Sequence, residues 1–84
     1  MRIVWDERKR ESNLVKHGLD FADLSEDFIT SALVLPTRQD RFLAIGRLSE
    51  GRPVAVVFRR LGAEAVAIVS MRRASVIERR RMDD

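Results

Sequence analysis

Residues 41–70 decide the fold, and their sequence is RFLAIGRLSEGRPVAVVFRRLGAEAVAIVS. Three apolar runs at 41–48, 53–60 and 64–70, rich in β-branched residues, predict three strands. Two segments of three or four residues that each contain a glycine separate these runs and predict tight turns. Connections this short join antiparallel strands, because a parallel crossover needs a dozen or more residues. The stretch therefore predicts a three-strand antiparallel meander.

The first third of the chain predicts two helices. Asp6 stands in N-cap position, and the first helix runs from there to about His17, with Gly18 as the glycine just beyond its end. The second helix begins after Asp20 as N-cap and ends near residues 29–30. Its buried face is predicted by three apolar residues at helical spacing, Phe21, Leu24 and Phe28.

Two short apolar runs and a basic segment complete the predicted fold. Residues 32–35 predict a short strand ended by a proline, and Ile3–Trp5 predicts an edge strand or an anchor. Ser75 and Glu78 fit a capping box, which predicts a short C-terminal helix carrying three arginines. We expect one α+β domain over the whole chain, with two N-terminal helices and the C-terminal helix on one face of an antiparallel sheet that comprises the meander and the short strand.

The composition excludes several classes of chemistry. The 84 residues include no cysteine and one histidine, which rules out disulfides, thiolate metal sites and a cysteine nucleophile and disfavours zinc. No apolar run approaches the ~20 residues of a membrane span, and the first ten residues lack the apolar stretch of a signal peptide. We expect a cytoplasmic protein without a cofactor, and not a membrane protein.

The basic charge is made almost entirely of arginine and is uneven. Of the 16 basic residues, 14 are arginine, and the formal net charge is +3. Residues 1–42 hold 7 basic and 8 acidic residues (net −1), whereas residues 43–84 hold 9 and 5 (net +4). Arginine matches phosphate geometry, so the basic half favours a nucleic-acid ligand. A codon bias from high genomic GC content explains the same composition without any ligand.

Residues at three places in the chain resemble the signatures of the BrnT toxin family. They are Trp5-Asp6, Lys9, Asn13, Lys16-His17-Gly18 and Phe21; then Arg41–Arg47; then Ile68–Ala74 with Glu78 and the arginines that follow it. The three matches occur in order and at the expected spacing, and together they span nearly the whole chain.

The resemblance implies a RelE-like fold and a ribonuclease toxin of a type II toxin–antitoxin system that blocks translation. It also implies a partner, the antitoxin BrnA, which binds DNA through a ribbon-helix-helix domain. A homodimer and a toxin–antitoxin hetero-oligomer are both open. BrnT-like chains commonly carry a tyrosine in the last helix at the position of Met82, so this chain departs from the pattern there.

Cleavage without a metal needs a base near the ribose 2′-OH, an acid near the leaving oxygen, and cations that stabilise charge on phosphorus. Arg72 is our first candidate for the cation, because it follows the third meander strand and would be held rigidly. Arg73 beside it is a candidate RNA contact, and Glu78 could orient Arg72. The alternative is a surface arginine paired with Glu78, which would itself be no more than a helix cap.

Arg59 and Arg47 lie on predicted meander strands. If the exposed sheet face binds RNA, one or both would point into it, with Arg59 in a catalytic position and Arg47 as an RNA contact. The alternative for both is that they are solvated edge charges that discourage aggregation.

His17 is the one side chain that titrates near neutrality, which makes it a candidate general acid or base. A histidine in the last turn of a helix is also favoured by the helix dipole, and that structural role is the alternative. Lys9 and Lys16 are two turns apart on the same helix, so their shared face would either follow RNA phosphates or simply be solvated.

Two other functions compete with an RNA-cleaving toxin. The first is a catalytically inactive module of the same fold that binds RNA or only its partner protein. The second is a DNA-binding regulator, which the absence of a helix-turn-helix pattern disfavours.

Overall fold

The structure is a computed structural model that describes residues 1–83. It contains five strands, three α-helices and one short 3₁₀ turn. In chain order they are β1 (Arg2–Trp5), α1 (Glu7–His17), the 3₁₀ turn (Phe21–Asp23), α2 (Glu26–Ser31), β2 (Leu33–Pro36), β3 (Arg41–Arg47), β4 (Pro53–Leu61), β5 (Ala65–Arg73) and α3 (Val76–Asp83). Within residues 1–83, no helix has the length and apolar character that crossing a bilayer requires.

The five strands form one sheet in the order β1-β5-β4-β3-β2. The strands from β2 to β5 pair with one another in antiparallel fashion, whereas β1 pairs with β5 in parallel. The predicted α+β class is confirmed. The predicted four-strand antiparallel sheet was wrong, because the sheet has a fifth strand, β1, which is parallel to its neighbour. The run Ile3–Trp5 is an edge strand, and its partner lies more than sixty residues later, where local sequence patterns carry no information about pairing.

The ends of α1 lie where the sequence predicts them. The Asp6 side chain accepts a hydrogen bond from the Arg8 N–H at 3.3 Å, which caps the first turn. Gly18 adopts the left-handed conformation at φ 69°, and its N–H donates to the Leu14 carbonyl at 2.8 Å. A side chain at this φ would be strained, so glycine ends the helix here.

The predicted second helix is wrong in its first half. Asp20 does cap a turn by accepting from the Ala22 N–H at 2.9 Å, but that turn is a 3₁₀ turn that stops at Leu24. Ser25 then caps α2 by accepting from the Phe28 N–H at 3.2 Å. Two capping residues in close succession divide the segment, although its three apolar residues are all buried as predicted.

The sheet has a core face and a second face, and helices lie on both. On the core face, a Cβ at Gly46 would meet the Phe28 ring of α2 at 3.0 Å. Three residues of β4 that pair with this part of β3 are buried on the same face: Val54, Val56 and Phe58. The prediction that all helices share one face was wrong, because α3 lies against the second face, held there by Arg47 and Arg72.

A β-bulge in β5 determines which residues face the second side of the sheet. Val57 pairs with Ser70 but Phe58 pairs with Ile68, so Val69 is an extra residue in the ladder. The alternation of side chains therefore shifts by one position at the bulge. Ile68 and Met71 both face the core, and Ser70 and Arg72 both face the opposite side.

Asn13 joins α1 to the free edge of β5. Strand β1 ends opposite Ile68, so the rest of β5 has no strand partner on that side. The buried Asn13 side chain accepts from the Met71 N–H at 3.0 Å and donates to the Leu19 carbonyl at 3.2 Å. One amide thus satisfies two backbone groups that would otherwise be buried without partners.

Replacing this amide should destabilise the fold. We expect Asn13→Ala to lower the free energy of unfolding by about 2–3 kcal/mol, because two buried backbone groups lose their partners. Urea denaturation followed by circular dichroism measures the change, with Ser12→Ala on the exposed face of the same helix as the control. A loss for Asn13→Ala no larger than that of the control would contradict this account.

Candidate functional site

Arg72 and Glu78 form a bidentate ion pair on the second face of the sheet. Arg72 Nη1 donates to Glu78 Oε1 at 2.7 Å, and Nη2 donates to Oε2 at 2.9 Å. Glu78 also completes the predicted capping box, since it accepts from the Ser75 N–H at 2.8 Å while its own N–H donates to Ser75 Oγ at 3.1 Å. The same carboxylate therefore caps α3 and holds the guanidinium.

This pairing leaves one complete edge of the guanidinium free. Nη1 also donates to the Arg73 carbonyl at 3.3 Å, which uses its second hydrogen. Of the five N–H donors, the Nε hydrogen and one Nη2 hydrogen remain without a partner among residues 1–83. These two lie side by side on the Nε–Nη2 edge, and such a fork matches two oxygens of a phosphate.

The ion pair shifts the titration of both partners. Hydrogen bonds from Arg72, assisted by the Ser75 N–H and opposed by burial, lower the pKa of Glu78 from 4.5 to about 2. The bonds to Glu78 in turn raise the pKa of Arg72. Glu78 is 15% exposed and Arg72 43% exposed, so the carboxylate is enclosed while the guanidinium still reaches solvent. Near neutral pH Glu78 is an anion, and its low pKa makes it a weak base that is better suited to positioning Arg72.

Arg72 stands at one end of an open depression of about 550 Å³ on the second face. Its floor consists of Leu43 and Val57, which pair across β3 and β4. Arg38 and Arg41 line it too, with Thr37 and Gln39 from the β2–β3 turn. We call this depression the sheet trough.

Arg59 is the strand residue directly opposite Arg41. Both therefore project from the second face, at the end of the sheet away from α3. In the part of the chain that the structure describes, neither has a carboxylate within ion-pair distance. Arg59 therefore lies on the exposed sheet face, four residues along β4 from Ala55, the partner of Arg72, and its catalytic role stays a prediction.

Three other predicted residues share a groove between α1 and β5. This groove has a volume of about 320 Å³ and is lined by Arg8, Lys9, Ser12, Asn13, Lys16, His17, Val69 and Ser70. Lys9 and Lys16 thus lie on one side of α1, as their spacing predicts, and His17 lines the same groove. Ser70 connects the two regions, because it lines the groove and lies two residues from Arg72 on the same face.

Arg73 lines a pocket with His17 and does not line the sheet trough. Together with Leu19 and Arg52, the two residues line a small pocket of about 210 Å³ at the C-terminal end of α1. His17 therefore has two arginines as neighbours on one side and the α1–β5 groove on the other.

Arg47 does not join any of these residues. Its Nη1 donates to the Gly51 carbonyl at 3.1 Å, and its Nη2 approaches the Asp83 carboxylate at 3.3 Å. Arg47 thus ties the β3–β4 turn to the end of α3, and RNA binding by it stays a prediction. Met82 is half-buried on the same helix.

The comparison with protein families decides what this surface belongs to. The family model described as "Ribonuclease toxin, BrnT, of type II toxin-antitoxin system" matches residues 5–78. The chain belongs to the BrnT family. It is therefore a BrnT-type ribonuclease toxin of a type II toxin–antitoxin system, as the sequence resemblance predicts.

A solved structure agrees with this assignment. The chain is 52% identical to the ribonuclease toxin BrnT of Brucella abortus, whose crystal structure was determined at 1.1 Å resolution. The match covers 89% of this chain and 97% of the Brucella chain, with a TM-score of 0.84. No curated protein matches the chain significantly.

Sequence reasoning missed Arg38, Arg41 and Ser70 as members of this BrnT surface. In the sequence Arg41 is the first residue of a predicted strand and of a stretch that resembles the BrnT signature, but its position opposite Arg59 depends on the strand register. Ser70 faces the trough side only because the bulge at Val69 precedes it. Two arginines at the ends of neighbouring antiparallel strands are the signal that could have identified Arg41.

The depressed pKa of Glu78 gives this BrnT toxin a defined dependence of stability on pH. A carboxylate with a lowered pKa stabilises the fold above its unfolded pKa near 4.5, and this contribution disappears as the pH falls toward 2. We expect Glu78→Gln to lower the free energy of unfolding at pH 7 by about 1–2 kcal/mol, with the difference shrinking as the solution is acidified.

Denaturant melts at several pH values between 2 and 7 measure this difference. Glu11→Gln is the matched control, because Glu11 is exposed on α1 and has no ion-pair partner among residues 1–83. If the free energy of unfolding changed with pH in the same way for the wild type and for Glu78→Gln, the Arg72–Glu78 pair would contribute nothing to the pH dependence between pH 2 and 7.

Proposed function

We propose that the chain cleaves RNA without a metal, by attack of a ribose 2′-OH on the adjacent phosphate, and that it thereby inhibits translation in the cytoplasm. The free Nε–Nη2 edge of Arg72 carries this proposal, because it is a rigid two-donor fork at the end of the sheet trough. We propose a BrnA-like ribbon-helix-helix protein as the antitoxin that neutralises this activity.

Arg72 supplies the electrostatic part of catalysis in this proposal. As the 2′-oxygen attacks, negative charge grows on the non-bridging oxygens of the phosphate. A guanidinium held by Glu78 and the Arg73 carbonyl needs little reorganisation to meet that charge. Glu78 acts as a positioning residue that fixes the fork.

His17 supplies proton transfer in this proposal. It is the one imidazole of the chain, and it lies in the groove that adjoins the Arg72 face through Ser70. An imidazole can accept the proton of the 2′-OH or donate one to the leaving 5′-oxygen near neutral pH. Lys9, Lys16 and Arg73 surround it and would hold the phosphates on either side of the scissile bond.

The types of side chain support cleavage without a metal ion. The groups that line the trough and the groove include guanidinium, ammonium, imidazole, hydroxyl and amide groups. Positively charged groups repel a divalent cation, and they perform its charge-stabilising role themselves. The carboxylate of Glu78, beside the trough, has both oxygens occupied by Arg72 and Ser75.

An inactive binding module of the same fold is the second candidate, and Met82 is the observation that favours it. An apolar thioether stands where family members commonly carry a tyrosine. If that hydroxyl were essential to the chemistry, this chain would bind RNA or its antitoxin without cutting. RNA binding by the purified chain without cleavage is the outcome that would establish this second function.

Substitution of Arg72 tests the first function. We expect Arg72→Ala to lower the rate of RNA cleavage by about 10²–10³-fold, the usual loss when one donor to a transition-state anion is removed. Arg72→Lys keeps the charge but not the fork, so we expect it to remain at least about tenfold slower than the wild type.

Single-turnover cleavage of RNA in the presence of EDTA measures these rates. Arg2→Ala is the control, since Arg2 is exposed at the far end of the edge strand. In bacteria, induction of the wild type should stop growth and amino-acid incorporation, and induction of folded Arg72→Ala should not. Equal, unimpaired growth of both cultures would refute the toxin function for this chain.

Two substitutions of His17 separate proton transfer from helix capping. We expect His17→Gln to slow cleavage by about 10²–10⁴-fold, as loss of a general acid or base does. His17→Lys places a cation in the last turn of α1, where the helix dipole favours one, so we expect it to retain at least the stability of the wild type yet cleave as slowly as His17→Gln. Cleavage rates and urea melts of both variants distinguish the two roles. If either variant cleaved RNA at the wild-type rate, His17 would have only the structural role at the end of α1.

A further inference from the structure

Three arginines cluster at the end of the sheet trough away from Arg72. Arg41 and Arg59 are direct cross-strand partners on β3 and β4, and Arg38 lines the trough beside Arg41. Like charges in directly opposite positions destabilise a sheet. Among residues 1–83 these three arginines have no carboxylate within ion-pair distance, and Asp40, in the turn between Arg38 and Arg41, pairs with none of them. We call them the distal arginine cluster.

The backbone holds this cluster in place. In the turn between Arg38 and Arg41, Gln39 and Asp40 adopt left-handed conformations at φ 61° and 60°. Left-handed residues other than glycine are disfavoured. The Arg41 N–H donates to the Arg38 carbonyl at 3.3 Å, and the Arg41 carbonyl accepts from the Thr37 N–H at 2.9 Å and from Thr37 Oγ1 at 3.0 Å. The turn therefore keeps Arg38 and Arg41 adjacent despite their repulsion.

We propose that the distal arginine cluster is a second phosphate-binding site, which holds the backbone of a single-stranded RNA away from the bond being cut. The proposal rests on the proposed function in one respect, namely that the scissile phosphate lies at Arg72. An anion at the cluster removes the repulsion between Arg41 and Arg59, which gives these unpaired arginines a physical reason to be placed together.

The dimensions of the trough require an RNA longer than one nucleotide step. Arg72 pairs with Ala55 and Arg41 pairs with Arg59, so the two sites are four residues apart along β4, or about 13 Å. Between them lies the floor of Leu43 and Val57, both half-buried.

This arrangement favours a single strand of nucleic acid over a protein ligand. A single strand alternates anionic phosphates with flat bases that have weakly polar faces. Two guanidinium sites separated by an apolar floor match that alternation. The contacts are to phosphate and to base faces, so the cluster would strengthen binding without selecting a base sequence.

The length of the RNA tests this proposal. The probes are a dinucleotide and an octanucleotide of 2′-O-methyl uridine, which bind but cannot be cleaved because the attacking hydroxyl is blocked. We expect Arg41→Gln/Arg59→Gln to weaken binding of the octanucleotide and to leave binding of the dinucleotide unchanged. The dependence of log K on log salt for the octanucleotide should become shallower by about 0.7 for each phosphate that the variant no longer neutralises.

The matched control is Arg2→Gln/Arg60→Gln. It removes the same net charge, but Arg2 lies two strands away from Arg59 on the edge strand β1, and Arg60 stacks on the Phe42 ring of the core face at 4.7 Å from the ring centroid. We expect it to keep the wild-type salt dependence for the octanucleotide. Thermal melts complete the comparison, because relief of the Arg41–Arg59 repulsion should leave Arg41→Gln/Arg59→Gln at least as stable as the wild type.

The two proposals fail in different ways. A wild-type affinity and salt dependence of Arg41→Gln/Arg59→Gln for the octanucleotide would overturn the distal site, whatever the cleavage assays show. An equal loss of affinity in the control double variant would overturn it too, because general charge would then explain the effect. A length-dependent loss of binding by a chain that cleaves no RNA would support the distal site while refuting the proposed cleavage.

Discussion

One extra residue, Val69, determines on which side of the sheet the chemistry lies. Ile68 and Met71 are both buried in the core, so the two residues between them absorb a shift in the alternation of the strand. Without that shift, Arg72 would point into the hydrophobic core, where burial of an unpaired guanidinium is strongly unfavourable. With it, Arg72 meets Glu78 on the opposite side, and α3 is drawn onto the second face. The placement of the last helix and of the candidate site therefore follows from one irregularity in β5.

The edge of β5 shows how the same region is kept rigid. Strand β1 ends beside Ile68, directly before the bulge. Three residues later the Met71 N–H, which has no strand partner, donates a hydrogen bond to the Asn13 side chain of α1. Helix α1, which exposes most of its surface, is thus attached where the strand is irregular. The groove that contains Lys9, Lys16 and His17 is a product of this attachment, since its other wall is Val69 and Ser70.

Local signals in the sequence predicted both ends of α1 and the start of α3, but they did not predict the start of α2 or the contacts between distant segments. Asp6, Gly18 and the Ser75–Glu78 box act within a few residues, and the structure confirms all of them. The parallel partner of β1 and the position of α3 depend on contacts between distant segments. No partner was predicted for β1, and α3 was predicted on the wrong face of the sheet. The same distinction holds for the candidate site. The Arg72–Glu78 pair was predicted as an alternative interpretation, because the two residues are close in sequence. The position of Arg41 opposite Arg59 depends on the strand register, which cannot be predicted from periodicity.

The double use of the Glu78 carboxylate couples two properties that are usually separable. This group both caps the first turn of α3 and binds Arg72. When that turn frays, the hydrogen bonds that orient the guanidinium are therefore lost in the same cooperative event. The lifetime of the aligned fork cannot exceed the lifetime of that turn. Hydrogen exchange at the first amides of α3 would consequently report the fraction of molecules in which Arg72 is ready to bind an anion.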